Sequence, residues 1–307
     1  MSGESVDALV FAFGITGPVL LLLMAGWGLR RVGMIDVVFV SDANALVFKV
    51  ALPALLFLSI ATGPLDAAFD VRLTAVGVGG TLLLIAVLLA IGRLLPSDQR
   101  GVFVQGAYRG NLAILGLALA VTTYGEKVLP LAAVYIAVVT TLYNVVAVWL
   151  LDSSGALRQI ATNPIILGIV AGALVSLTGL PVPVVLARTG DYLANMALPL
   201  ALLCIGASLD VSSLRDHGRA IALATLFKLI VSPLLLVGLG IQAGLEGTSL
   251  GVLFFLAASP TASASYIMAR QMTVHGPLAA EIIAVTTALG VLSYTVGLTL
   301  LRGAGLI

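Results

Sequence analysis

Two short stretches hold most of the residues that could do chemistry. Tyr108-Arg109-Gly110-Asn111-Leu112-Ala113-Ile114-Leu115-Gly116 sets a guanidinium and a carboxamide among glycines, and Ala258-Ser259-Pro260-Thr261-Ala262-Ser263-Ala264-Ser265-Tyr266 sets hydroxyls around a proline. Both interrupt long apolar runs. Glycine lets a backbone leave the helix and lets neighbours approach; proline removes a donor and opposes a straight helix. Broken helices inside a membrane expose backbone amides and present positive dipole ends, which suits reversible binding of an anion. The substrate-contacting set expected from these stretches is Arg109, Gly110, Asn111, Ser259, Pro260, Thr261, Ser263 and Tyr266. Small and hydroxylated residues also serve helix packing, so the weight falls on the constellation and not on one member.

Three basic side chains lie deep within apolar runs: Lys49, Arg109 and Lys228. At 1.5 Å per residue the lysines sit roughly 15 Å from the start of their helices and Arg109 about 10 Å. A charge at the bilayer centre costs on the order of 2.5 to 3.5 kcal/mol, so each lysine calls for a partner or a wet cavity. Arg109 is as well placed to snorkel as to reach a substrate. Acids are fewer: Glu281 lies just inside the last apolar run, and Asp42, Asp191 and Asp210 lie near the ends of others. The expected interior is net positive and the expected cargo a small organic anion. Asn44, Lys49, Asn195, Lys228 and Glu281 form the expected supporting or coupling set.

Other chemistries find little footing. His217 and His275 fall in polar intervals without a ligand cluster, and no HExxH, CxxC, Walker or GxSxG pattern occurs. No metal site, no cofactor and no enzymatic activity are expected. Cys204 is the one cysteine and forms no intramolecular disulfide.

The elements that must position these residues follow from composition. Of 307 residues 60% are hydrophobic and 9% charged, and the mean hydropathy is +1.17. A soluble domain is about 25% charged. The chain therefore reads as an all-α polytopic membrane protein embedded in a lipid bilayer. With about 20 residues per crossing, ten segments emerge: 7–29, 39–61, 71–93, 102–124, 128–151, 163–180, 190–209, 218–240, 248–269 and 278–301. Met1 to Asp7 is acidic and lacks the positive start of a secretory signal, so the first segment is expected to be retained. The connections after odd-numbered segments hold Arg30, Arg31, Arg93, Arg100, Arg158, Arg215, Arg219 and Arg270; the others hold Arg72, Lys127 and Arg188, with Arg302 in the tail. That bias predicts odd-numbered loops in the cytoplasm and both termini outside an inner or plasma membrane. A formal charge of +1 without a basic run leaves nothing to hold nucleic acid.

An internal repeat is visible. Pro18 and Pro164 are 146 residues apart, and so are Pro53 in Ala51-Leu52-Pro53 and Pro199 in Ala197-Leu198-Pro199. The offset divides the chain into a first five-helix half at 1–151, a cytoplasmic linker at 152–162 and a second half at 163–307. Five crossings per half is odd, so the second half must enter from the opposite face and the repeat is inverted. Segments 4 and 9 become partners, and Lys49 aligns with Asn195.

Four stretches, taken in order, resemble the auxin efflux carrier family of membrane transport proteins. They are Asn44-Ala45-Leu46-Val47-Phe48 with Leu52-Pro53-Ala54-Leu55-Leu56-Phe57; Arg109-Gly110-Asn111 with Leu115-Gly116-Leu117; Leu226-Phe227-Lys228-Leu229 with Pro233; and Ala258-Ser259-Pro260-Thr261-Ala262-Ser263 with Ala269. The resemblance implies ten helices in two inverted five-helix repeats, crossed and broken helices 4 and 9, and a fold similar to bile-acid symporters and sodium–proton antiporters. It implies an elevator-type carrier of carboxylates such as auxin, malate or malonate, with Asn111 and Ser259 to Ser263 at the crossover. One departure is that Ala118 follows Gly116-Leu117 where family members commonly have proline, so the break in segment 4 is expected to rest on glycines alone, to be softer, or to lie nearer Asn111. Proton coupling, sodium coupling and uncoupled export remain open at this level, as do a homodimer, a sodium-coupled symporter-like carrier and a non-transporting receptor or channel.

Overall fold

The computed structural model describes residues 3–62, 69–151, 162–208 and 218–307. The linker at 152–162 lies outside the described residues apart from Thr162, as do Arg158, Asp210, Arg215 and His217. In chain order the helices are α1 (Gly3–Arg31), α2 (Val37–Ala61), α3 (Val71–Gly92), α4 (Arg100–Tyr108), α5 (Leu112–Tyr124) and α6 (Glu126–Leu151). The second half continues with α7 (Pro164–Thr178), α8 (Val184–Ala207), α9 (Gly218–Gln242), α10 (Gly247–Ala257), α11 (Ala264–Met272) and α12 (Gly276–Gly303). Seven of them, α1, α2, α3, α6, α8, α9 and α12, are long and apolar enough to cross a bilayer. The chain is an all-α polytopic membrane protein. Segments 4 and 9 of the sequence are each split in two, as α4/α5 and α10/α11. The sixth segment is the shorter 15-residue helix α7.

Polar side chains set the helix starts. Asp36 accepts the Phe39 N–H at 2.7 Å before α2, and Asp70 accepts the Leu73 N–H at 2.9 Å before α3. Asn163 accepts the Ile165 N–H at 3.0 Å, with Pro164 as the first helical residue of α7. Each fills a donor that a helix N-terminus would otherwise leave open. Gly179, at φ +66°, ends α7 in the left-handed conformation that glycine adopts without a Cβ clash.

Helices early in the chain pack on helices late in it. α1 runs along α8, α7 runs along α2, and α3 lies on α9. A Cβ on Gly172 would meet the Phe57 carbonyl oxygen at 2.7 Å, and one on Gly26 would collide with the Leu203 carbonyl oxygen. Gly26 and Gly172 differ by 146 in number, and so do Phe57 and Leu203. Backbone-to-backbone approach of this kind is what small residues allow in a membrane, where packing rather than hydrophobic burial holds helices together. The most completely buried side chains surround the split segments, among them Phe103, Ile114, Leu117, Leu253, Phe255 and Leu256. Leu21, Leu82, Leu83, Leu177, Leu234 and Leu292 are exposed on the outer surface, as suits contact with lipid.

Candidate functional site

The two interruptions lie against each other. α4 ends at Tyr108, Arg109 is extended (φ −77°, ψ 97°), and α5 begins after Asn111 with a five-residue π-turn, Leu112–Gly116. α10 ends at Ala257 and α11 begins at Ala264. Between them the Asn111 N–H donates to the Pro260 carbonyl at 2.7 Å and the Ala262 N–H to the Arg109 carbonyl at 3.0 Å. Gly110 and Thr261 thus pair as an isolated antiparallel bridge. The break of segment 4 falls at Arg109 to Asn111, around Gly110 and before Ala118.

Breaking two helices in a low-dielectric interior orphans carbonyls, and each must find a donor. The Gly106 carbonyl receives the Thr261 hydroxyl at 2.6 Å, and the Leu256 carbonyl receives Ser259 Oγ at 2.7 Å. Tyr294 caps the Phe255 carbonyl at 3.1 Å. The Ala257 carbonyl receives Lys228 Nζ at 3.0 Å and Ser232 Oγ at 3.4 Å. The Thr261 N–H donates to Thr286 Oγ1 at 3.1 Å. Carbonyl ends are therefore covered by protein donors, whereas the positive ends of α5 and α11 meet at the junction.

Two cations belong to this region. Lys228 is fully buried on a second π-turn, Phe227–Val231 of α9. A Cβ on Gly110 would lie 3.1 Å from Lys228 Nζ and would collide with Ser259 Oγ, so any side chain here must displace the Ser259 hydroxyl and crowd the Lys228 ammonium. Arg109 is buried too; it does not snorkel. Its Nη2 donates to Asn144 Oδ1 at 2.6 Å, and Nη1 reaches the Tyr143 carbonyl at 3.4 Å and Met268 Sδ at 3.5 Å. Among the described residues neither cation has a carboxylate within 4.0 Å. An ammonium has three donors and a guanidinium five, so both keep capacity for another acceptor. The Asn111 side chain, 7% exposed, makes no hydrogen bond within the described residues.

The structure gathers Arg109, Gly110, Asn111, Ser259, Pro260 and Thr261, with Lys228 beside them. Ser263 is the half-buried residue before α11. Tyr266 is half-buried and its hydroxyl accepts from Arg270 Nη1 at 3.2 Å, toward the far end of α11. Glu281 is buried in α12. Asn44 is half-buried in α2, and Lys49 and Asn195 are exposed. The π-turn of Lys49, Val47–Ala51, packs on α7 and α8, so of the three cations within the apolar runs Arg109 and Lys228 lie at the junction and Lys49 lies on another helix. Asn144, Thr286, Ser232, Tyr143 and Tyr294 complete the network and were not singled out from sequence. A lone amide in the apolar run of α6 was the signal for Asn144; the hydroxyls had none that separates them from packing residues.

A void of about 10 Å³ touches Pro260, bounded by Thr16, Val19 and Leu23 of α1, Leu115 of α5 and Gly290 of α12. It is about the size that holds one water. No group of three or more potential metal ligands occurs among the described residues.

The model of a family described as "Membrane transport protein" matches residues 15–159 and 150–298. A protein of Rhizobium meliloti (strain 1021) named "Putative malonate transporter" is 27% identical over 280 residues, covering 86% of this chain and 87% of that protein. An "Uncharacterized transporter" of Methanothermobacter thermautotrophicus is 26% identical over 283 residues, covering 90% and 93%. The "Uncharacterized transporter YfdV" of Escherichia coli (strain K12) is 24% identical over 295 residues, covering 87% and 90%. With matches that together reach from residue 15 to residue 298, the chain belongs to the membrane transport protein family that includes the auxin efflux carriers.

Proposed function

We propose that this transporter carries a small dicarboxylate or monocarboxylate of the malonate type across the membrane, bound where the two interrupted segments meet. The observation that carries the reading is the pair of buried cations, Lys228 and Arg109, at the junction without a carboxylate partner among the described residues. A buried charge left unpaired is costly, and an anionic cargo supplies the missing partner. Asn111 and the first-turn amides of α5 are the neutral donors. The relative named for malonate supports the substrate class.

In this reading the chain makes ten crossings, with α4/α5 and α10/α11 as crossed, broken helices 4 and 9 of two inverted repeats. The glycine contacts related by the 146-residue offset support it. Both termini face outside, the two halves supply a scaffold and a moving transport unit, and cycling is of the elevator type. The tight seam between α1 and Pro260 supports a conformation closed to substrate, so loading requires α1 and the junction to part. A membrane potential, negative inside, favours export of an anion by about 2.3 kcal/mol per charge per 100 mV; export needs no coupling ion.

Proteoliposomes loaded with malonate and diluted into labelled malonate test this. Accumulation of label by counterflow, competed by other small carboxylates and not by an amine of similar size, is the expected result. Absence of exchange with every carboxylate would refute it. Current that flows through the protein without mutually exclusive access from the two sides would instead identify a channel.

A further inference from the structure

Every group that holds Arg109 is uncharged. Its shortest contact is Nη2 to Asn144 Oδ1 at 2.6 Å; the Tyr143 carbonyl and Met268 Sδ are reached at 3.4 and 3.5 Å. Gln105, one turn earlier on α4, donates to the same Met268 Sδ at 3.4 Å and keeps its own Oε1 buried without a partner. The titratable side chains that interact with the guanidinium, Tyr108 and Tyr143, are phenols. A guanidinium buried this deeply is ordinarily paired with a carboxylate. Here an amide oxygen satisfies its geometry and leaves its charge uncancelled.

Asn144 is placed for this by the helix that carries it. Tyr143 fixes α6 against the end of α4: its carbonyl accepts Tyr108 Oη at 3.1 Å, and the two rings meet edge to face with centroids 5.3 Å apart. The next residue of α6, Asn144, then meets Arg109 and is itself only 5% exposed. Single amides in apolar helices commonly join one helix to another. This one joins a helix to a cation, and that cation is the neighbour of Gly110, which pairs with Thr261 across the junction. In a low-dielectric interior a full charge at that distance acts on whatever binds there.

We propose that Asn144 is a specificity-determining residue that sets how much negative charge the cargo must carry. Holding Arg109 through a neutral oxygen, it leaves Arg109 and Lys228 as two uncompensated positive charges, and two carboxylates on one small solute balance them. A monocarboxylate leaves one cation buried and unpaired. An aspartate at 144 would cancel Arg109 from within the chain and leave one charge for the cargo to match. The inference rests on the anion-carrier reading above and narrows its substrate class to dicarboxylates.

Malonate and malonamate separate charge from size, since one carboxylate of the first is a carboxamide in the second. Counterflow of each labelled solute into proteoliposomes loaded with the same unlabelled solute, at a pH where every carboxyl is ionised, tests the inference in wild type, Asn144→Asp, Asn144→Gln and Asn144→Leu. Wild type should prefer malonate on the order of ten-fold. Asn144→Asp should invert the preference and take malonamate faster than malonate. Asn144→Gln keeps a neutral acceptor and should retain the wild-type order, whereas Asn144→Leu frees the guanidinium without adding charge and should lower the flux of both solutes with no inversion. A preference unchanged in Asn144→Asp, or shifted equally in Asn144→Leu, would overturn the inference while malonate exchange by wild type leaves the carrier reading standing. Wild type that exchanges neither solute overturns both. Should Asn144→Asp fail to fold, Arg109→Gln decides, because it removes the same charge from the other partner: inversion supports the inference and an unchanged preference overturns it.

Discussion

Lys49 and Lys228 share a local sequence and part company in three dimensions. Each follows a phenylalanine, each lies within a five-residue π-turn, and each precedes a proline, Pro53 or Pro233. Proline explains the shared backbone: without its N–H the helix shifts its hydrogen-bond register, and a π-turn absorbs the extra residue. Yet Lys228 is fully buried against the Ala257 carbonyl, whereas Lys49 is exposed. Local sequence dictates the turn; the neighbours decide what the turn presents. α9 meets the split segment that offers an orphaned carbonyl, and the turn of α2 meets the closely packed α7 and α8.

The largest effect separating the two lysines is on transport. Lys228→Met should lower malonate flux at least 50-fold while raising the apo melting temperature, because an unpaired buried ammonium is replaced by an apolar side chain of similar length. Flux assays and thermal unfolding on one preparation check both, and a loss of flux together with a loss of stability would mean the lysine is only a structural cap. Gly110→Ala comes next. Its Cβ would press on Ser259 Oγ and Lys228 Nζ, costing about 1–3 kcal/mol of stability by overpacking and at least ten-fold in flux.

The halves themselves can be compared through Gly26→Ala and Gly172→Ala, each placing a methyl against a carbonyl oxygen at offset-related contacts. Both should destabilise by about 1–3 kcal/mol in chemical or thermal unfolding, and an effect confined to one would weaken the repeat. Ser293→Ala, which strips the Leu229 carbonyl of its donor, should cost about 1 kcal/mol. Lys49→Met should be the mildest, changing malonate flux no more than two-fold.

Both breaks were legible in the sequence because glycine or proline clusters there with polar residues; a proline alone would not have placed them, since Pro18 and Pro199 lie inside continuous helices. The positive interior was legible only in part. Depth along a helix follows from counting residues, but α2 and α9 are apolar on nearly every side, and such helices carry little pattern to say which side faces protein. Lys49 and Lys228 were therefore indistinguishable until the neighbours were placed. Two donors that repay orphaned carbonyls, Tyr294 and Ser232, were hidden for a related reason: in a membrane a hydroxyl that packs and a hydroxyl that caps look alike in one dimension.

The central claim is that an anion binds at the junction and is held there by Lys228. Titration of malonate into wild type, Lys228→Met and Lys49→Met by calorimetry tests it most directly. The account predicts at least ten-fold weaker binding in Lys228→Met and wild-type affinity in Lys49→Met; equal affinity in all three proteins, or loss only in Lys49→Met, would contradict it.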